Sequence, residues 1–217
     1  MKKTISFILI FALVLASSCI NTLAEETEYV NELKNYSVLQ GDPDGALRLD
    51  DNLTYAEAVT LLVRLYGFNP ETSAAAPSNV FSDMEGHWAC NAAMIAKGLE
   101  ITDKKEGEAF NPDEAIVSEE FIKMIVSLLG YSEVALKKGG NGIAYLMEGS
   151  KLGVTKGVAM IAGQSITRKE ALILLTNSLD IPLMVLKSFS EEKVEYHILN
   201  GKNGAEYETL RTRLENE

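Results

Sequence analysis

SITRKEALILLTNSL, Ser165 to Leu179, is the third writing of one phrase; NLTYAEAVTLLVRLYG, Asn52 to Gly67, and AIVSEEFIKMIVSLLG, Ala115 to Gly130, precede it. With Thr54, Val117 and Thr167 aligned, no gap is needed as far as Tyr66, Leu129 and Leu179. Ala58, Phe121 and Ala171 coincide, as do Leu61, Met124 and Leu174, then Leu62, Ile125 and Leu175. Apolar residues therefore recur at steps of three and four, the signature of one buried helix face. Such repeats decide the fold class, because a short unit with one apolar face must bury it against its siblings.

The phrase also carries its own start and stop signals. Thr54 with Glu57, and Thr167 with Glu170, form Thr-x-x-Glu capping boxes. In each, the hydroxyl accepts from a free N–H of the first turn while the glutamate reaches back to another. In the middle copy Glu120 keeps its place as a capping or structural group, but Val117 replaces the threonine, and Ser118 stands one residue later as a substitute cap. Gly67 and Gly130 stand where helices end in a left-handed residue.

A second echo lies upstream of each phrase: a short apolar stretch, a Gly/Asp/Pro-rich turn, then the lead to the cap. Before it come further helical segments, at Tyr29–Asn35, His87–Lys97 and Ile143–Leu152. The expected architecture is all-α: three helix–loop–helix units in a pseudo-threefold bundle. The expected division is 25–68, a linker at 69–79, then 80–131 and 132–186. SEVALKKGGNG, Ser132 to Gly142, separates the second unit from the third. A tail at 187–217 changes pattern. KVEYHI (Lys193–Ile198) alternates like a strand, NGKNG reads as a turn, and EYETLRTRLENE reads as a second strand or a frayed helix. A hairpin or a disordered segment is expected there, not an independent domain.

The N-terminus pairs Lys2 and Lys3 with an apolar run from Ile5 to Ala16 and a small-residue exit ending in Ala24. That is the pattern of a secretory signal at 1–24, with lipoprotein processing at Cys19 as the alternative. The apolar run is too short for a comfortable membrane span. Losing Lys2 and Lys3 moves the formal net charge of the 217-residue chain from −11 to −13. So acidic a chain is not expected to bind nucleic acid or an anionic membrane through its overall field. The processed chain keeps Cys90 alone, so stability rests on a packed core and not on a disulfide.

FSDMEGHWA (Phe81–Ala89), GDPDG (Gly41–Gly45) and ITRKE (Ile166–Glu170) resemble the motifs of the S-layer homology domain, and the likeness extends over roughly Tyr29 to Met184. The resemblance implies an all-helical, pseudo-threefold unit with grooves between repeats. It also implies non-covalent attachment to peptidoglycan through secondary cell-wall polysaccharides, often pyruvylated. Carried over residue by residue, Arg168 matches the motif arginine that contacts the anion. Asp83 and Trp88 match the residues that help to form the groove. The arginine's place is taken by Tyr55 in the first copy and Ser118 in the second. The third copy has GGNGIAYL where the Asp and Trp would stand.

Each candidate has a bland counterpart. Arg168 suits a carboxylate or pyruvate ketal through its planar fork, or else is a solvated first-turn residue. Trp88 stacks on a sugar or packs in the core. Asp83 meets sugar hydroxyls or closes a turn. Tyr55 replaces charge recognition by stacking, or marks a loss. No metal and no cofactor are expected: in an EF-hand frame starting at Asp42, Gly45 comes too early for the loop's invariant glycine, and Leu53 stands where its bidentate glutamate belongs. His87 and His197 lie far apart, and no HExxH, GxSxG or Gly-rich phosphate loop occurs, so no catalytic residue is assigned. Two readings follow. One is a secreted wall-bound glycan-binding module. The other is a scaffold that has lost glycan affinity and binds other surface proteins.

Overall fold

Each copy of the repeated phrase becomes an eleven-residue helix in the computed structural model: α2 Tyr55–Leu65, α4 Ser118–Leu128 and α7 Arg168–Ser178. The structure describes residues 28–42, 45–73, 81–189, 194–202 and 205–216. The expected signal segment 1–24 with Cys19, and most of the 69–79 linker, lie outside the described residues.

The remaining helices follow the second echo. Residues 28–35 form α1, Cys90–Gly98 form α3, Ser132–Leu136 form α5 and Gly142–Leu152 form α6. α3 starts after the expected His87, which lies in the turn ahead of it: the His87 ring accepts Ala89 N–H at 3.1 Å, its carbonyl accepts Cys90 N–H at 3.0 Å, and the helix has no side-chain cap. The Ser132–Gly142 stretch, expected as a plain separator, opens with the helical turn of α5.

A closed ring of backbone hydrogen bonds joins the three copies just ahead of their caps. Leu53 N–H donates to Ile166 O at 2.8 Å, Ile166 N–H to Ile116 O at 3.3 Å, and Ile116 N–H to Leu53 O at 2.9 Å. These three residues are equivalent in the alignment and essentially buried at the axis. The flanking bridges run in the same cyclic order: Asn52 with Thr167, Thr54 with Ala115, and Val117 with Ser165. The ring also answers a local need. The first N–H groups of a helix have no partner within it. Here those of Tyr55, Ser118 and Arg168 donate to Glu114, Gln164 and Asp51 of the neighbouring copy at 2.8–3.0 Å.

The helices interlock in the same sense. α3 packs on α2 and α6 on α4, while α1 and α7 share the walls of one surface depression. Each copy thus borrows its cover from the next. Leu62, Ile125 and Leu175 are fully buried between these layers, and burying a side chain of this size contributes roughly 1.5–3 kcal/mol.

Both Thr-x-x-Glu boxes are complete: Thr54 N–H donates to Glu57 at 3.0 Å, and Thr167 N–H to Glu170 at 2.8 Å, each with its reciprocal bond. The middle copy corrects the expectation for Glu120. Val117 has no oxygen to offer, α4 has no side-chain cap, and Glu120 does not reach back. Ser118 does not substitute, since its hydroxyl donates to Ile161 O at 2.8 Å. Glu119 does other work there, accepting Gly163 N–H at 2.8 Å.

After α7 the chain forms a two-stranded antiparallel sheet, β1 Met184–Phe189 with β2 Val194–Ile198, then a short helix α8, Leu210–Leu214. The strand partner of KVEYHI therefore lies upstream of it, and the downstream segment is helical. None of this is a loose tail. Leu210 is fully buried, Met184 N–H donates to Leu129 O, and Arg211 N–H donates to Leu179 O. The Arg211 side chain clamps α8 to Asp180 and to Glu32 of α1, each at 2.6 Å. Asp180 foremost holds its guanidinium protonated well beyond the ordinary range, burial opposing and Glu32 adding. Among the described residues no helix is long and apolar enough to cross a membrane.

Candidate functional site

The threefold arrangement produces matching grooves, and their linings show what each copy has kept. One groove, of about 640 Å³, runs along α2 past Thr54, Glu57, Thr60 and Leu61. Trp88 and Arg168 line it as well. A second, of about 550 Å³, runs along α4 past the equivalents Val117, Glu120, Lys123 and Met124. There Tyr55 stands in the place of Arg168. Gly140, two residues ahead of α6 as Trp88 is ahead of α3, stands in the place of Trp88.

Trp88 and Arg168, from different copies, line one groove, a meeting that the sequence alone does not show. Trp88 is not a core aromatic: it is 63% exposed, the highest value among the large apolar side chains described. The ring projects between the buried Ala89 and His87, whose ring accepts Ala89 N–H and lies 5.5 Å from the indole. Arg168 is the reverse, 7% exposed. Its Nε donates to Leu47 O at 2.8 Å and its Nη1 lies 2.7 Å from Glu57 Oε1. It is therefore not the solvated first-turn residue that its neighbours Lys169 and Glu170 would imply.

That glutamate oxygen is shared. Arg48 Nη2 reaches it at 2.7 Å, and Arg48 also meets Asp42 at 2.6 Å and Asp51 at 3.2 Å. Asp42 first, then Glu57, raises the Arg48 pKa, against a smaller opposing effect of burial. Arg64, also lining the groove, pairs with Glu71 at 2.6 Å and donates to Gln40 at 3.0 Å. All three guanidinium groups of the groove are engaged by carboxylates of the chain itself. Arg48 and Arg64 were not legible as site residues. Arg48 is a lone cation in an acidic turn, in the left-handed conformation at φ +48°, and its counterpart in the second copy is the uncharged Asn111 at φ +57°.

Asp83 does not line this groove. Its two oxygens accept the N–H groups of Phe110 and Asn111, both at 2.7 Å, holding the left-handed turn at Asn111. Burial pushes its pKa up, but those two hydrogen bonds prevail and hold it below the usual carboxylate value. Phe81 completes the arrangement by packing its ring on Phe110 at 5.0 Å. Tyr55 lies 7% exposed in the second groove, edge-on to Phe110 at 6.3 Å and under the Lys104 ammonium at 5.1 Å. The structure therefore places the four glycan-contact candidates in three settings: Arg168 and Trp88 share a groove, Tyr55 lines its equivalent, and Asp83 braces a loop. Thr54 and Glu57 belong to the first groove as well as to the cap. No cluster of three metal-ligating side chains occurs among the described residues.

The model of the S-layer homology domain matches residues 80–121, which include Asp83, Trp88 and the first turn of α4. The chain is 26% identical to the "Middle cell wall protein" of Brevibacillus brevis over 88% of its own length and 19% of that protein's. It is 26% identical to the "Surface layer protein" of Brevibacillus choshinensis over 73% of its length and 15% of that protein's. A stretch covering 42% of the chain is 32% identical to "Cell surface glycoprotein 1" of Acetivibrio thermocellus, of which it matches 4%. The chain thus spans less than a third of the length of the curated relatives it matches. The motif residues, the helical architecture and the family match agree: residues 80–121 are similar to the S-layer homology domain, and the relatives matched along the chain are cell-wall and cell-surface proteins.

Proposed function

We propose that the chain is a non-catalytic, secreted module that attaches to the cell wall by taking secondary cell-wall polysaccharide into the groove between Trp88 and Arg168. The observation that carries the reading is Trp88, exposed in a groove that the motif arginine also lines. A ring of this size in water has lost the stabilisation that burial would provide, and a flat sugar face restores it. In this reading an acidic substituent such as a pyruvate ketal exchanges with the Glu57 carboxylate at Arg168. Both arginines then stay paired: Glu57 remains with Arg48 while the ligand takes Arg168. Such an exchange makes binding selective, because a neutral glycan has nothing to offer for the displaced ion pair.

The test is sedimentation of the purified protein with cell-wall sacculi, intact or stripped of secondary polymer. Binding that needs the polymer, weakens in Trp88→Ala and Arg168→Ala, and survives in Lys169→Ala supports the reading. Equal binding to both preparations, or to neither, defeats it. Because Trp88 is the single tryptophan of the chain, its fluorescence reports groove occupancy directly.

A second reading, a module that binds other surface proteins on a scaffold with little glycan affinity, draws on one observation. Ile143 and Met147, one turn apart on α6, are each 60% exposed. Binding to sacculi that ignores the polymer and falls in Met147→Asp favours this second reading.

A further inference from the structure

Away from the inter-copy grooves, a cavity of about 330 Å³ opens between the docked C-terminal segment and the end of α2. Tyr66 and Phe68 line it, with ring centroids 6.1 Å apart and planes 19° from parallel. Lys202, Glu208 and Arg213 line it too. The Arg213 guanidinium lies 4.2 Å from the Tyr66 ring centroid, a cation–π arrangement that fixes the fork. Phe68 remains 40% exposed.

The charge count of this cavity differs from that of the Trp88 groove. Arg213 spends its Nε on Glu208, at 2.6 Å. Its two Nη groups have no hydrogen-bond partner among the described residues, and neither has the exposed Lys202 ammonium an ion pair there. Two cations thus face one carboxylate, in a chain of net charge −11 whose Trp88 groove has every guanidinium matched. A partly exposed aromatic face beside unspent cationic donors suits a ligand with one flat apolar face and one anionic group. A small inorganic anion would leave Phe68 unused, and a neutral sugar would leave Lys202 and the Arg213 fork unused.

We propose that this cavity binds an acidic saccharide unit, with its ring face on Phe68 and its carboxylate between Lys202 and Arg213. Its place on the surface fits a unit of a longer chain. Phe68 also lines a small depression together with Gln40 and Arg64, and those two residues line the Trp88 groove. Shared lining residues thus make the three depressions neighbours between Trp88 and Lys202. That last step, a polymer bridging both places, rests on the glycan reading above; the cavity's own preference does not.

The experiment titrates glucuronate, glucose and acetate separately into the ¹⁵N-labelled full chain, recording amide shifts and Trp88 fluorescence. Glucuronate is expected to shift Gly67, Phe68, Lys202 and Thr212 with Trp88 emission unchanged, and to bind more tightly than glucose or acetate. Lys202→Gln should weaken it about tenfold, the share of one charge-assisted hydrogen bond, and Phe68→Ser should weaken it too while the remaining spectrum stays native. Glucuronate shifts confined to the Trp88 groove, no shifts at all, or equal affinity for acetate would overturn the proposal. So would Phe68→Ser and Lys202→Gln variants that bind like the parent. In sacculus sedimentation, dependence on Trp88 without dependence on Phe68 or Lys202 leaves wall attachment standing and removes this site.

Discussion

Arg168 Nη1 lies 2.7 Å from Glu57 Oε1, so the motif arginine of the third copy is neutralised by the capping glutamate of the first. Glu57 does two jobs at once. Its Oε2 closes the cap at Thr54, and its Oε1 holds both Arg168 and Arg48. The same residue thereby ties helix initiation, closure of the threefold ring and the charge state of the groove to one another.

Arg168→Ala should destabilise the fold by about 1–3 kcal/mol. The Leu47 carbonyl loses its donor, but Glu57 keeps Arg48, so the loss stays below that of orphaning a buried charge. Urea titration should show a lower midpoint at unchanged slope.

Val117→Thr should stabilise the protein by about 1 kcal/mol. Glu120 already stands at the third position of α4, so the substitution writes the missing Thr-x-x-Glu box in a side chain of nearly the same shape. Thermal unfolding of Val117→Thr against Thr167→Ala should show shifts of opposite sign and similar size.

Two glycines in the same left-handed conformation should respond differently to alanine. Gly153, at φ +88°, faces open space, and Gly153→Ala should cost about 1 kcal/mol from backbone conformation alone. Gly130, also at φ +88°, is covered by the backbone of Met184, and a Cβ there collides with the Met184 carbonyl. Gly130→Ala should therefore cost clearly more, and amide exchange near Met184 should accelerate.

Asp83 has a folded pKa below its unfolded one. Its contribution is therefore present in full above the unfolded carboxylate value and is lost as pH falls through the folded value. Asp83→Asn should cost about 1 kcal/mol at pH 7, a figure reduced by the exposure of the site. The gap between parent and variant should close in acid. A gap that persists unchanged below pH 3 would show that the carboxylate charge plays no part.

Leu210→Ala should lower the stability of the entire fold by about 2–4 kcal/mol in a single transition, because Leu210 is a core residue and not part of a separate tail. Coincident loss of helical signal and of Trp88 fluorescence during unfolding would check this.

Much of the architecture was legible because it is local and repeated. A period of three to four, a threonine three residues before a glutamate and a terminal glycine are properties of short segments. The period read in three places, with the box and the glycine in two each, predicted α2, α4 and α7 and the need for each to be covered by another. The cap at Glu120 was misread because the glutamate alone does not make the box; it needs an oxygen at Val117. The C-terminal segment was hard to read because its order comes from Leu210, Arg211 and the Met184 N–H meeting partners far away in sequence, and no periodicity records such meetings.

The amino-acid sequence by itself determined that the chain is helical, that it is built from three kindred phrases, and that Arg168 and Trp88 are the motif residues present. Only the tertiary structure decided that these two share one groove, that Asp83 stays out of it, and that Arg48 and Glu57 set its charge. The physical reason is that side-chain spacing along one helix is dictated by bonded geometry. Which copy's carboxylate meets which copy's arginine is dictated by the direction in which the backbone ring at Leu53, Ile116 and Ile166 closes.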